Sequence, residues 1–384
     1  MCKKVGIITI FNVNNYGAEL QAYATQKALQ LMGYDAELIN YPFYKNVRHI
    51  PTDASKPVFP MPFKKRLVEW AYPKVANLKL FFQHTISGEK RLSNFAGFNK
   101  QYTKLSPEYR TIESLYTAEK KYDAYIVGSD QVWNPGVYSS LDPYFLKFAP
   151  KERRRISYAS SFGVASVPEY SKGYYKEALA ALDAISVREE NAVQLVKDLS
   201  GKDAQWVLDP TLLLNVQEWM EVAKPVADSP EKYLLLYELT PCPYLKELAL
   251  KIAKEKDLKV VRITKDAALV EKDGSIINVT DAGPSEFLWM FNHADFVVTN
   301  SFHGTAFSIN FNKDFYVVTP ARMNNNSRQQ SILRLFNLSD RIIKEGEPLP
   351  GNNLWKIDFE PVNDILERER TKSKDYLKKA IDGE

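Results

Sequence analysis

Residues 295–311 read DFVVTNSFHGTAFSINF. Phe296, Val297 and Val298 form a short apolar run without helical spacing, the pattern of a buried strand over residues 295–300. Ser301, Phe302, His303 and Gly304 make a tight polar joint, and from Thr305 the apolar positions Ala306, Phe307 and Ile309, with Asn310, predict a helix. In open α/β sheets ligands bind beyond the carboxyl ends of strands, where a helix N-terminus offers N–H groups to an anion. Gly304 would let the backbone come close to such a ligand. His303 would share that crevice, able to carry a proton near neutral pH and to donate to a phosphate. The competing reading of His303 is a packed side chain satisfied by backbone carbonyls.

The same strand–joint–helix unit recurs along the chain. Residues 5–10, VGIITI, read as a buried strand, followed by a loop over 11–17 and a helix from Ala18 that Gly33 ends. A further strand over 35–41 completes a βαβ unit, which implies a parallel sheet. Asn14, Asn15, Tyr16 and Gly17 lie at the carboxyl end of the first strand; they either meet a ligand or shape the turn. The strand 122–127 runs into Gly128, Ser129 and Asp130, a second polar joint in which Asp130 either serves as acid or base or fixes the turn. Arg188 stands where a strand over 184–187 meets a helix, placed to reach a carboxylate or phosphate. Its plain alternative is an ion pair with Glu189 or Glu190.

The Pro-rich segment 224–232 reads as a linker, after which the βα alternation restarts and reaches the His303 unit. A loop from Arg322 to Arg328 then precedes a helix beginning at Gln329. The pattern predicts an α/β protein of two Rossmann-like domains with parallel sheets facing a cleft, a GT-B-like architecture. The expected domains are 1–224, with a helical insertion over about 51–102, and 232–384, whose last helix returns to the first domain. The insertion carries five prolines and basic-aromatic pieces such as Phe63-Lys64-Lys65-Arg66-Leu67. It reads either as a flap over the cleft or as a surface that approaches a membrane.

Composition narrows the classes. A net charge of +4 over 384 residues argues against a nucleic-acid partner, though it allows a locally basic cleft for an acidic small molecule. The two cysteines, Cys2 and Cys242, exclude a disulfide framework and a Cys-based zinc site and fit a reducing cytosol. The four histidines show no H-x-x-x-H spacing, so no protein-held metal is expected. No apolar stretch approaches the roughly 20 residues of a spanning helix, and the apolar run over 5–11 is too short for a secretion signal. The expected location is the cytoplasm.

Taken together, the stretches VGIITIFNVNNYGAELQAYATQKAL, YIVGSDQVWNP, RRISYASSFG, ISVREENA, VLDPTLLL and ADFVVTNSFHGTAFSINFNKDFYVV resemble the polysaccharide pyruvyl transferase family. They cover most of residues 5–341. The resemblance implies a GT-B-like enzyme, without a further cofactor, that moves the carbon skeleton of the co-substrate phosphoenolpyruvate onto two hydroxyls of a glycan sugar. The product would be a pyruvate ketal on a surface polysaccharide or its lipid-linked precursor, the latter bringing the protein to the inner face of the membrane. The family's histidine, implicated in donor binding and acid–base work, falls on His303, and a donor-binding arginine falls on Arg188. Some members carry a second arginine where this chain has Ser301, so another cation is needed beside the donor; Arg328 is the candidate. The acidic residue that other members carry in the first loop is here Ala18, next to Glu19. By this resemblance Gly304 joins the donor site, and Asn14, Asn15, Tyr16 and Gly17 the acceptor side. Two rivals stand beside it: a GT-B glycosyltransferase using a nucleotide sugar, and a non-catalytic glycan-binding protein on the same fold.

Overall fold

The computed structural model describes residues 2–384 apart from 44–45, 47, 54–57, 60–62, 65–66, 68–85, 137–139, 267–268, 272, 321–326 and 349–355. The chain divides into two compact units. One comprises Met1–His84, Asn99–Leu213 and Glu369–Glu384, the other Thr85–Phe98 and Leu214–Arg368.

In the first unit β1 (Lys4–Ile8), α1 (Tyr16–Leu31) and β2 (Asp35–Leu38) form the expected βαβ unit, with Lys4 opposite Asp35 in a parallel pair. The helix α2 (Ile86–Tyr102) contributes residues to both units, and α3 (Ile112–Thr117) follows it, closed by a capping box between Thr111 and Ser114. Then come β3 (Ala124–Val127), β4 (Arg154–Ser157), α4 (Lys172–Ala180), β5 (Ser186–Val187), α5 (Glu190–Ser200) and β6 (Gln205–Trp206). The sheet order is β2-β1-β3-β4, all parallel, and the β5-β6 ladder adjoins it through bridges at Ile156–Ala184 and Ser160–Val187. Strands buried on both faces read as continuous apolar runs, which is why AYIV of β3 gave no alternation. Beside the sheet Trp133 stacks on Phe145 at 5.2 Å, donates Nε1–H to the Tyr144 carbonyl at 2.9 Å, and is buried completely. Such an aromatic cluster supplies large apolar burial with its one polar hydrogen satisfied.

The second unit holds α6 (Val216–Met220), β7 (Tyr233–Tyr237), α7 (Pro243–Lys256), β8 (Lys259–Ile263), β9 (Ile277–Val279), α8 (Pro284–His293), β10 (Phe296–Thr299), α9 (Phe302–Asn310), β11 (Phe315–Thr319), α10 (Ser327–Leu335) and β12 (Ile342–Lys344). The final helix α11 (Phe359–Asp382) begins here, and its residues from Glu369 belong to the first unit. The sheet order is β12-β11-β10-β7-β8-β9, again all parallel. Numbered within the unit, that is 3-2-1-4-5-6, the order of a doubly wound Rossmann sheet. The α/β class and the two Rossmann-like parallel sheets are therefore as the βαβ pattern predicted.

Several expectations change in detail. The expected junction at 224–232 lies inside the second unit, which starts at Leu214. Packing explains this: Trp219 is buried edge-to-face on Phe307 at 5.3 Å, and Lys224 N–H donates to the Ser285 carbonyl. The insertion expected over 51–102 lies largely outside the described residues; its last part is α2. The helix after Ser301 begins at Phe302 rather than Thr305, and α1 begins at Tyr16 rather than Ala18. Ser301 and Asn15 are N-caps, whose side-chain oxygens satisfy a first-turn N–H and so start each helix early. Arg328 sits in the first turn of α10 rather than on a loop.

Candidate functional site

Each sheet reverses its winding direction once, and the crevice at that point is where doubly wound folds bind ligands. In the first unit the reversal lies between β1 and β3, in the second between β7 and β10. The residues singled out from the sequence collect at these two edges.

At the first unit's edge, β1 exits through Thr9 into residues 10–15, and β3 exits into Gly128, Ser129 and Asp130. Thr9 Oγ1 donates to the Ser129 carbonyl at 2.9 Å, and Gln21 Nε2 donates to Thr9 Oγ1 and to the Ile10 and Ala18 carbonyls at 3.0 Å each. These buried bonds hold the two exits together. Gly128 is needed for this approach, because a Cβ there would lie 2.9 Å from Thr9 Cβ. Asn12 and Asn14 take left-handed backbone conformations, at φ 58° and 52°. Asn15 Oδ1 accepts from Ala18 N–H, and Tyr16 and Gly17 are buried in the first helical turn. The four residues expected on the acceptor side therefore include a loop shaper and a helix cap.

The acid that organises this loop is Glu19, buried next to Ala18. Its carboxylate accepts from Val13 N–H at 3.1 Å and from Asn99 Nδ2 at 2.8 Å, and Asn99 also donates to Asn12 Oδ1. Burial pushes its pKa up, against the lowering effect of Asn99 and of the backbone N–H groups of Asn12, Val13 and Asn14. A glutamate in the first turn after an asparagine-rich loop was visible in the sequence; its partner Asn99 was not.

Arg188 and Asp130 are brought together. The Arg188 side chain is 1% exposed and stands 3.8 Å from Asp130, 3.3 Å from Glu189 and 2.9 Å from Asp209. Ser129 Oγ donates to Asp209 at 3.0 Å, Ser161 Oγ donates to Glu189 at 2.6 Å, and Thr211 donates through both N and Oγ1 to Asp209. Burial alone would lower the guanidinium pKa, but Glu189, Asp209 and Asp130 outweigh it and raise it further above its ordinary value. One cation among three carboxylates is a net negative cluster, so an incoming anion would compete with all three. The ion pair with Glu189 is realised, and Arg188 holds Asp130, which is 20% exposed and has a left-handed φ of 70°, at the edge.

At the second unit's edge, Ser301 caps α9 through Oγ, which accepts from Gly304 N–H at 3.3 Å. Its own N–H donates to Thr299 Oγ1, and its carbonyl takes both N–H and Oγ1–H of Thr305. His303 is the second residue of the helix, half-buried, its ring edge-to-face on Phe302 at 5.3 Å. Gly304 serves packing: a Cβ there would lie 2.4 Å from Thr299 Oγ1, so glycine lets the helix cross the strand it follows. The helix that carries Arg328 is tied to this turn by Gln329 Nε2, which donates to the Asn300 carbonyl at 3.3 Å. Ser301, His303, Gly304 and the Arg328 helix thus share one edge. A second ionic cluster in this unit escaped the sequence reading: Glu238 at the β7 exit faces Arg262 of β8 at 3.5 Å, both buried. Burial pushes the Glu238 carboxyl up, while the Cys242 N–H and Arg262 pull against it.

Among the described residues no group of three or more His, Cys, Asp or Glu side chains is arranged to hold a metal ion, and no helix is long and apolar enough to cross a membrane.

Comparison with known proteins adds the following. A family model described as polysaccharide pyruvyl transferase matches residues 15–322. No curated protein matches. Similar solved structures include UGT89C1 of Arabidopsis thaliana complexed with UDP, 11% identical, covering 100% of this chain and 99% of that one with a TM-score of 0.48. The glycosyltransferase SnogD from Streptomyces nogalater is 10% identical over 99% of this chain and 98% of its own, with a TM-score of 0.47. UDP-GlcNAc 2-epimerase from Methanocaldococcus jannaschii is 10% identical over 94% and 98%, with a TM-score of 0.43.

Proposed function

We propose, since the chain belongs to the polysaccharide pyruvyl transferase family, that it transfers the pyruvyl group of phosphoenolpyruvate to two hydroxyls of one sugar in a glycan, in the cytoplasmic assembly of a surface polysaccharide. The observation that carries this reading is His303, held in the first turn of the helix leaving the central strand at the second unit's winding reversal. A helix N-terminus and a proton-carrying imidazole at one sheet edge suit a phosphorylated donor. Arg328, on the helix tied to the same turn, is the added cation in place of the family arginine that Ser301 replaces.

Two C–O bonds form at the donor's enol carbon, the bond from that carbon to the phosphate oxygen breaks, and the methylene takes one proton to become a methyl. The second hydroxyl proton leaves with inorganic phosphate. His303 delivers a proton to the donor and regains one from an attacking hydroxyl. A lipid-linked acceptor would bring the protein to the inner face of the membrane.

The test is mass spectrometry of candidate glycan acceptors incubated with the protein and phosphoenolpyruvate, looking for the added pyruvate ketal and for released phosphate. His303→Gln should lower turnover by about two to four orders of magnitude while keeping part of the donor affinity, because the amide still donates to phosphate. A folded His303→Gln protein with near-normal turnover removes the acid–base assignment.

A further inference from the structure

The edge that presents His303 is fastened through one carboxamide. Asn300, 3% exposed, follows β10 directly. Its Oδ1 accepts from Leu239 N–H at 2.8 Å, and its Nδ2 donates to the Thr240 carbonyl at 2.7 Å. Both atoms of the amide are therefore spent on the exit of β7, the strand on the other side of the crevice. The Asn300 backbone carbonyl takes the third bond, from Gln329 Nε2 of α10. One residue before it, Thr299 Oγ1 donates to the Tyr237 carbonyl at 2.6 Å and accepts from Ser301 N–H. Leu239, whose N–H is held in this way, is 53% exposed at the edge.

We propose that Asn300 is the positioning residue of this site: it sets the spacing between the β7 exit, the first turn of the His303 helix and the helix that carries Arg328. The inference rests on the proposed function only in taking His303 as a ligand-binding group. Its physical basis is that the clamp needs one acceptor and one donor on a planar group. Aspartate has that shape but, when ionised, sets an oxygen against the Thr240 carbonyl. Serine is too short to span both bonds, and leucine makes neither. A displaced first turn would move the His303 ring and the helix N–H groups together, and misplacements near 1 Å cost binding geometry heavily.

The experiment uses Asn300→Ala and Asn300→Asp in the full chain. The sequence has four histidines, so the His303 imidazole can be followed by NMR and assigned with His303→Gln. Inorganic phosphate and phosphoenolpyruvate are each titrated in, with melting temperature and, where acceptor turnover is found, kcat and KM measured alongside. Asn300→Ala should remain folded and weaken the response of His303 to both anions by about 10–100-fold at every pH. Asn300→Asp should match that loss at neutral pH and recover toward wild type as acid protonates the new carboxyl, whose O–H can then donate to the Thr240 carbonyl. A purely structural role would lower the melting temperature without this pH-dependent return. Wild-type affinity in Asn300→Ala, or losses in both variants that merely track melting temperature, would overturn the proposal. A wild-type His303 signal indifferent to both anions would sink the site itself. Phosphate and phosphoenolpyruvate binding without ketal formation would count against the proposed reaction while leaving Asn300 in its role.

Discussion

Arg188 illustrates how far a single residue can be read. Its place at a strand end was legible, but three of the groups that engage it, Ser129, Asp130 and Asp209, lie on other strand exits that only the closed sheet brings together. Sequence neighbours alone offered Glu189. Because a buried carboxylate without its cation is costly, Arg188→Ala should destabilise the protein by about 3–5 kcal/mol, read by denaturant unfolding. An alanine variant of unchanged stability would mean that the cluster relaxes or protonates at no cost. Gly304 was expected to admit a ligand, and its tightest constraint turned out to be Thr299. Gly304→Ala should cost about 1–3 kcal/mol through overpacking. Adding Thr299→Ala should return part of it, a coupling that a double-mutant cycle measures. Strictly additive losses would show that the added methyl is resisted elsewhere.

Among the elements, those with strong apolar runs were found where they were sought, and the misses share a cause. The strands β9 and β12, three residues each at the two sheet edges, are too short to leave a run to detect: each carries a polar or charged residue, and of their six positions only Ile343 is buried. Helix starts were placed two or three residues late because the cap, rather than the first apolar position, decides them: Asn15 for α1, Ser301 for α9. The loop ahead of α1 makes a testable case. Glu19 has its pKa raised in the folded state, so the native protein keeps its proton to higher pH than the unfolded chain. Stability from this group is then full below its ordinary value near 4.5 and falls as pH rises through the folded value. Denaturant unfolding of wild type and Glu19→Gln across pH 4–8 should show the wild type losing ground to the variant as pH rises through that window. A stability difference independent of pH would contradict the assignment.

At the level of the whole molecule, the alternation of strands and helices made two parallel sheets legible, whereas the allocation of chain to each was not. Residues 214–224 join the second unit through Trp219, a contact with no signature in spacing. The C-terminal end of α11 completes the first unit. Ser373 Oγ accepts from Leu208 N–H at 3.0 Å, Tyr376 Oη donates to the Ser157 carbonyl at 2.9 Å, Arg370 Nε donates to the Leu212 carbonyl, and Lys3 pairs with Asp382 at 2.8 Å. Deleting residues 369–384 should therefore destabilise the first unit selectively, so that limited proteolysis cuts within 99–213 before it cuts the sheet containing β10. Equal resistance of both sheets in the truncated protein would refute this.

That arrangement also imposes an order on synthesis. A ribosome releases β1 to β6 early, but the helix that fastens them is made only after all of Leu214–Arg368. At about 5–20 residues per second the wait is on the order of ten seconds. Throughout it the nascent first unit holds Tyr158 and Leu208 without the helix that covers them, while the second unit can close around β7 and β10. The half that emerges first is the half that finishes last, and its yield in a cell depends on what shelters it in between.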